Sequence, residues 1–185
     1  MLTMSLYHQL KQQLLTESKK HGWGILLVTR EHLKRWILKV KPKRLLDIGC
    51  HNRYLENTIR EWFREVETFG IDIVKYDVKP SAICSAELLP FRDNYFDFVT
   101  VIETLEHIVD YVCALKEIHR VLKPNGYLYI QSVRCDFKNA VYGDDTHFHV
   151  LHPVTLTRLC KLIGFEYVED GIEKQNFYIV FRKGL

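Results

Sequence analysis

The sequence has no apolar run long enough to span a bilayer, and its N-terminus lacks the apolar core of a signal peptide. Its longest apolar stretches, such as GILLV and FVTVI, are short, whereas a spanning helix needs about 20 apolar residues. The first residues, MLTMSLYHQLKQQ, turn polar before such a core could form. We therefore expect a cytoplasmic protein without a membrane span.

Cysteine pairs at metal-binding or disulfide spacing are also missing. The number of cysteines is odd, they are widely spaced, and none belongs to a CxxC pair. This pattern indicates neither a disulfide framework nor a zinc knuckle. We expect all five to be reduced and structural: Cys50, Cys84, Cys113, Cys135 and Cys160.

Internal repeats, low-complexity tracts and linkers rich in Pro, Gly or Ser are absent from the sequence. An apolar share of 47% and a charged share of 26% over 185 residues are ordinary for one globular domain with a sizeable core. We expect a single globular unit at residues 44–185, preceded at 1–43 by amphipathic helices near residues 3–18 and 26–40.

The net charge of +3 is modest but uneven. Up to residue 44 the basic residues face only two acidic ones, Glu17 and Glu31. The basic residues are Lys11, Lys19, Lys20, Arg30, Lys34, Arg35, Lys39, Lys41, Lys43 and Arg44. They either attract an anionic substrate or nucleic acid, or are the solvated faces of the two helices.

From Arg44 onward, short apolar runs alternate with helical stretches such as LENTIREWFREV (55–66), YVCALKEIHRVL and PVTLTRLCKLI. This alternation predicts an α/β fold, a Rossmann-like, doubly wound and mostly parallel sheet with helices on both faces. The last two apolar runs leave no room for a crossover helix, so they predict a C-terminal antiparallel hairpin. In KPNG, Pro124 ends a helix and Gly126 is expected to adopt positive φ.

The stretch LLDIGCHNRYL indicates a ligand-binding turn at the end of the first strand. Gly49 permits a sharp turn and a close approach of the backbone, and the following helix points its N-terminal amides into the crevice. Asp72 ends the next strand, 72 − 49 = 23 residues later. That offset suits an acid that binds ribose hydroxyls. His51 and Arg53, however, stand where such turns usually have glycine.

Five motifs in order carry a family resemblance: LDIGC, GIDI, LPFRDNYFDFVTV, TLEHI and VLKPNGYLYI. With these motifs the chain resembles the class I S-adenosylmethionine-dependent methyltransferases of the small type 11 kind, from Leu45 to the C-terminus. The resemblance implies S-adenosyl-L-methionine as cofactor. It also implies the cofactor-binding residues Asp47, Ile48, Gly49, Cys50, Asp72, Ile73, Ala86, Glu87, Ile102 and Glu103.

The sequence departs from the family pattern at three positions near this cofactor, His51, Arg53 and Ser85. Ser85 stands where the family usually has an aspartate for the adenine amino group, so that contact is either weakened or supplied by Glu87. Arg53 can pair with the cofactor carboxylate or with Glu56 one helical turn later. We expect a modified but working loop, because the acids of the pocket are intact.

Two histidine clusters follow the fourth and fifth strands, in ETLEH and DDTHFHVLHP. A neutral imidazole there can accept a hydroxyl proton, and we expect His107 and His147 to be catalytic. His107 can instead cap or pack, and His152 before Pro153 is expected to cap a helix. Glu103, Glu106, His107 and His147 also resemble the divalent-metal ligands of ubiquinone-biosynthesis and small-RNA O-methyltransferases.

The function expected from this resemblance is O-methylation of a small-molecule or glycan hydroxyl. The N-terminal helices are expected to form part of the acceptor site or a lid over it. Two alternatives stay open: an RNA methyltransferase that uses the basic N-terminal region, and a catalytically degenerate, partner-binding subunit.

Overall fold

The computed structural model describes residues 31–142 and 144–185, together with Gln9, Gln12, Gln13 and Thr16. Those four residues are helical, in agreement with the first expected helix. The remainder of that helix and residues 26–30 of the second lie outside the described residues.

Seven strands form one mixed sheet in the order β3-β2-β1-β4-β5-β7-β6. Strands β1 to β5 run parallel to one another, whereas β7 runs antiparallel to both β5 and β6. The predicted mostly parallel sheet with a C-terminal hairpin is therefore confirmed. The strands are β1 (Arg44–Ile48), β2 (Glu67–Asp72), β3 (Ala82–Ile83), β4 (Phe96–Ile102), β5 (Leu122–Val133), β6 (Phe165–Glu173) and β7 (Asn176–Lys183).

Helices cover both faces of this sheet, each over its own apolar core. The described helices are α1 (Glu31–Val40), α2 (Tyr54–Trp62), α3 (Tyr111–Val121), α4 (Asn139–Tyr142) and α5 (Pro153–Ile163), with a 3-10 turn at Leu105–His107. One core receives the apolar residues of α1 and α2, and the other receives those of α3 and α5. The parallel strands consequently present their carboxyl ends at one edge, between the two helical layers.

Helix α1 belongs to the body of the protein. Its buried residues Leu33, Trp36 and Ile37 recur at the spacing of one helical face. The Trp36 indole Nε1 donates to Glu169 Oε1 of β6 at 2.8 Å. The expected second amphipathic helix is thus fixed against the sheet.

Two local expectations were wrong. Helix α2 ends at Trp62 rather than at Val66, because Phe63 is extended (φ −148°) and buried Val66 leads into β2, where Glu67 pairs with Arg44. In KPNG the positive φ lies at Asn125 (63°) and not at Gly126. Glycine is needed at 126 for space, since a Cβ atom would lie 2.9 Å from the Lys123 carbonyl oxygen.

All five cysteines are free thiols, as expected, and Cys50 and Cys160 are buried. Burial raises the pKa of the Cys160 thiol to about 12. Within the part of the chain that is described, the helices are too short or too polar to cross a membrane.

Candidate active site

The turn after β1 requires glycine at position 49. Gly49 has φ +77°, and a Cβ atom there would overlap the Thr104 side chain. The amides of Gly49 and Cys50 both donate to the Ile71 carbonyl, at 2.9 and 3.0 Å. The turn is therefore held against the end of β2, with its backbone close to the loop that follows β4.

His51 and Arg53 adopt the backbone conformation that glycine usually provides. Their φ angles are 46° and 61°, both in the left-handed region. Arg53 Nε donates to Glu56 Oε1 at 2.8 Å, and its Nη2 makes a second hydrogen bond with the same carboxylate. Glu56 is fully buried. Of the two partners open to Arg53 from the sequence, the structure pairs it with Glu56, and this hydrogen bond raises the pKa of Arg53.

Asp72 lies at the tip of β2 and faces the glycine turn. Its Oδ2 accepts from the His51 amide at 3.1 Å, and its Oδ1 accepts from the Val74 amide at 2.9 Å. The His51 ring packs on Tyr76 with 3.9 Å between centroids. Because both loops hold the carboxylate, Asp72 is fixed at the crevice where the sequence predicts a ribose-binding acid.

The remaining expected cofactor residues lie around the same carboxyl edge. Asp47 is buried on β1 and accepts a hydrogen bond from Thr100 Oγ1 of β4 at 2.8 Å. Ala86 is buried, and Glu87 accepts from the Asp110 amide at 3.1 Å, which connects this segment to the start of α3. Glu103 follows β4 with φ 47°.

A histidine pair lies beyond β4. The rings of His107 and His147 are 4.7 Å apart at 64°. Nδ1 of His107 lies 3.1 Å from the Thr146 carbonyl oxygen, and Nδ1 of His147 lies 3.3 Å from that of Ala140. A carbonyl oxygen only accepts, so each Nδ1 donates, and in the neutral form of each ring Nε2 is the nitrogen without a proton.

Glu106 completes a candidate metal-ligand group with these two histidines. One ligand atom of each of Glu106, His107 and His147 lies within 4.8 Å of the others. Glu106 is fully buried, and neither of its carboxylate oxygens has a hydrogen-bond partner among the described residues. Glu103, the fourth ligand expected from the sequence, is not a member of this group.

Burial lowers the pKa of His107, which favours the neutral imidazole. Its Nδ1 also lies 2.8 Å from Thr146 Oγ1, which itself donates to Asp144. Neither Thr146 nor its contact with Asp144 was predicted from the sequence, although both residues stand in the DDTHFH motif. His149 lies apart from the pair, against Tyr111 at 4.8 Å, and His152 caps α5 as expected by accepting from the Val154 amide.

Comparison with known proteins gives the family. Residues 22–170 match the methyltransferase domain family. An uncharacterised protein of Methanocaldococcus jannaschii is 36% identical over 128 residues, which cover 67% of this chain and 55% of that protein. A demethylmenaquinone methyltransferase of Geobacillus kaustophilus is 34% identical over 112 residues, which cover 52% and 48%. The chain thus spans about half the length of these curated relatives.

A solved structure shows the same fold. The 1,6-didemethyltoxoflavin-N1-methyltransferase of Burkholderia thailandensis, with bound 1,6-didemethyltoxoflavin and S-adenosylhomocysteine, matches with a TM-score of 0.76 at 17% identity. The match covers 100% of this chain and 92% of that one. Because the family match covers most of its length, the chain belongs to the methyltransferase domain family, and its fold is that of the class I S-adenosylmethionine-dependent members.

Proposed function

We propose that this protein transfers the methyl group of S-adenosylmethionine to a hydroxyl oxygen of a small-molecule or glycan acceptor. The observation that supports it best is the His107 and His147 pair, in which both Nδ1 atoms are committed to carbonyl oxygens. Two relatives have names that include a small molecule, demethylmenaquinone and 1,6-didemethyltoxoflavin.

The residues at the carboxyl ends of β1 and β2 fit S-adenosylmethionine. Gly49 leaves room for a close backbone approach, and the anchored Asp72 carboxylate is suited to the ribose hydroxyls. We assign cofactor binding to Asp47, Ile48, Gly49, Cys50, Asp72, Ile73, Ala86, Glu87, Ile102 and Glu103. When bound, the cofactor supplies a methyl group already activated on a sulfonium.

The protein then has to orient the acceptor and remove its proton. His107 is suited to the second task because burial lowers its pKa and its Nε2 is unprotonated. Thr146 and Asp144 fix the ring and its tautomer through the contact with Nδ1. His147 packs against this ring and is the second catalytic candidate.

A divalent cation is an alternative means of activating the same hydroxyl. The buried Glu106 carboxylate and one ring nitrogen from each of His107 and His147 form a mixed oxygen and nitrogen set that suits Mn²⁺ or Zn²⁺. With each Nδ1 bonded to a carbonyl oxygen, Nε2 is the nitrogen left for an ion. A bound ion lowers the pKa of a coordinated hydroxyl. One Nε2 atom cannot both hold the ion and accept the proton, so loading the protein with metal and stripping it with EDTA separates the two mechanisms.

The position of the lysines favours a small acceptor over RNA. Lys39, Lys41, Lys43 and Lys123 line a cavity of about 560 Å³ at the amino ends of the strands. That edge is separated from Asp72 by the length of the sheet, about 20 Å for strands of this size. An RNA held by these lysines would lie far from the crevice.

The test is transfer of a radiolabelled methyl group from S-adenosylmethionine to a panel of hydroxylated small molecules, glycans and tRNA. We expect transfer to a hydroxyl compound and at least a hundredfold lower rate in His107→Gln, as loss of a general base predicts. His149→Gln is the matched control and should keep the rate. Salt-sensitive transfer to tRNA would instead support the nucleic-acid alternative. A protein that does not bind S-adenosylhomocysteine would be the degenerate subunit.

A further inference from the structure

Among the buried side-chain atoms that lack a hydrogen-bond partner within the described part of the chain, two lie on the same face of the sheet at the ends of β5 and β7. They are Nε2 of Gln131 and Oδ1 of Asn176, on residues that are 2% and 1% exposed. A buried polar group left unpaired costs about 1 to 3 kcal/mol. Such atoms are rare in native proteins, so each requires a physical reason.

The strand register places both residues on one face of the sheet. Val133 pairs with Asn176 across β5 and β7, and Gln131 lies two residues before Val133. Alternate residues of a strand share a face, so Gln131 and Asn176 are diagonal neighbours at about 7 Å. On its other side β5 runs parallel to β4, and there Gln131 pairs with Ile102. The two unpaired atoms therefore lie together at the carboxyl edge, one strand away from an assigned cofactor residue.

Aromatic rings surround this pair. The Tyr129 hydroxyl donates to Gln131 Oε1 at 3.4 Å, which leaves Nε2 as the group that needs a partner. Tyr178, the cross-strand partner of Gln131, stacks on Tyr129 at 5.8 Å and 5°, and on His32 at 4.5 Å and 27°. His32 lies in the first turn of α1, so α1 forms the wall opposite the sheet.

We propose that Gln131 and Asn176 bind the methyl acceptor by the edge of a planar ring that carries a carbonyl beside an N–H or O–H group. Gln131 Nε2 donates to the ring carbonyl, and Asn176 Oδ1 accepts from the neighbouring N–H or O–H. The buried rings of Tyr129 and Tyr178 provide apolar surroundings for such a ring. The acceptor enters between the first turn of α1 and the ends of β5 and β7. This inference rests on the proposed function, because it assigns the acceptor to that same site.

The test uses 2-pyridone as the probe, since its ring carries a carbonyl next to an N–H. The control ligand is 1-methyl-2-pyridone, which keeps the carbonyl and lacks the donor. Full-length protein labelled with ¹⁵N is titrated with each compound while the side-chain amide signals of Gln131 and Asn176 are followed. We expect 2-pyridone to shift both signals and to bind at least tenfold more tightly than its methylated analogue.

Gln131→Met and Asn176→Leu should each weaken 2-pyridone binding at least tenfold, while the affinity for S-adenosylhomocysteine changes less than twofold. Asn176→Leu should keep or raise the melting temperature, because it removes an unpaired buried atom. Gln131→Met removes one as well but also loses the acceptor of the Tyr129 hydroxyl, so its melting temperature should stay close to that of the native protein. The matched control is Thr68→Val, since Thr68 Oγ1 is also buried without a partner in the described residues but lies at the amino end of β2. This variant should leave the binding of both ligands unchanged.

The inference is overturned if both ring compounds bind equally well, or if Gln131→Met binds 2-pyridone as the native protein does. Binding of S-adenosylhomocysteine is measured on the same samples. If the native protein does not bind S-adenosylhomocysteine, the proposed function is contradicted. If it binds S-adenosylhomocysteine normally and the variants bind 2-pyridone as the native protein does, only this inference is contradicted.

Discussion

The two halves of the carboxyl edge of the sheet differ in whether their buried polar groups have hydrogen-bond partners. At the ends of β1 and β2, Asp72 accepts two backbone hydrogen bonds and Glu56 is bound by Arg53. At the ends of β4, β5 and β7, the carboxylate of Glu106 and single atoms of Gln131 and Asn176 have no partner among the described residues. All of these groups are buried or half-buried, so exposure to solvent does not explain the difference.

This difference in hydrogen bonding indicates which kind of ligand each half of the edge binds. On the β1–β2 half the protein has already fixed its loops, which suits a cofactor that is the same in every cycle. On the other half, unpaired polar atoms reduce the stability of the fold and become satisfied only when something binds. We interpret this half as the place of the acceptor and the cation. Substitutions in the two halves should therefore change stability and ligand binding in different ways.

Gly49→Ala should lower the affinity for S-adenosylhomocysteine at least a hundredfold. The new Cβ atom would overlap Thr104, and φ +77° is strained for alanine. The strain should also lower the free energy of unfolding by about 1 to 3 kcal/mol. Calorimetry and urea unfolding measure the two effects. Gly184→Ala is the control, because the nearest atom to its Cβ would be 3.5 Å away. Equal behaviour of the two variants would contradict the role of the turn.

Arg53→Met should lower the free energy of unfolding by about 3 kcal/mol, because it leaves the buried Glu56 carboxylate without its partner. Arg134→Met is the matched control, since it breaks an ion pair with the exposed Asp136. An exposed pair of that kind is screened by solvent and contributes little to stability. Urea unfolding measures the loss of unfolding free energy in both variants. Similar losses would show that the buried Arg53–Glu56 pair stabilises the protein no more than the exposed pair does.

The same substitution at two buried glutamates should have opposite effects. Glu56→Met destabilises the protein, because Arg53 loses its partner. Glu106→Met should stabilise the metal-free protein by about 1 kcal/mol, because it replaces unpaired oxygens with an apolar group of similar shape. It should also weaken Mn²⁺ binding at least tenfold in calorimetry. Destabilisation by both substitutions would mean that Glu106 is already paired and that the contrast is wrong.

The smallest effect concerns pH. Burial holds the pKa of His107 below its ordinary value of 6.5, so the unfolded chain takes up a proton first as the pH falls. Stability is therefore complete above pH 6.5 and declines below it, by no more than about 1.4 kcal/mol per pH unit. His51 and His119 are shifted in the same direction. In His107→Gln the decline of the unfolding free energy with falling pH should be smaller by the contribution of His107. Identical pH dependence in the native protein and the variant would contradict that contribution.

The glycine turn and the acid at the end of β2 could be predicted from the sequence, because both depend on local patterns. Gly49 and Asp72 stand at recognisable distances along the chain, and the missing crossover helix required the C-terminal hairpin. The partner of Arg53 could not be chosen from the sequence, because Glu56 and a cofactor carboxylate suit a guanidinium equally well. Gln131 and Asn176 were not found, since they meet only through the register of β5 with β7. That register depends on side-chain packing between segments more than 40 residues apart in sequence.

The central claim is that the β1–β2 half of this edge is a ready-made site for S-adenosylmethionine. Isothermal titration with S-adenosylhomocysteine tests it on the native protein, on Asp72→Asn and on the surface control Asp136→Asn. We expect one binding site, an affinity at least tenfold lower in Asp72→Asn, and no change in Asp136→Asn. No heat of binding to the native protein, or equal affinity in all three, would contradict the claim.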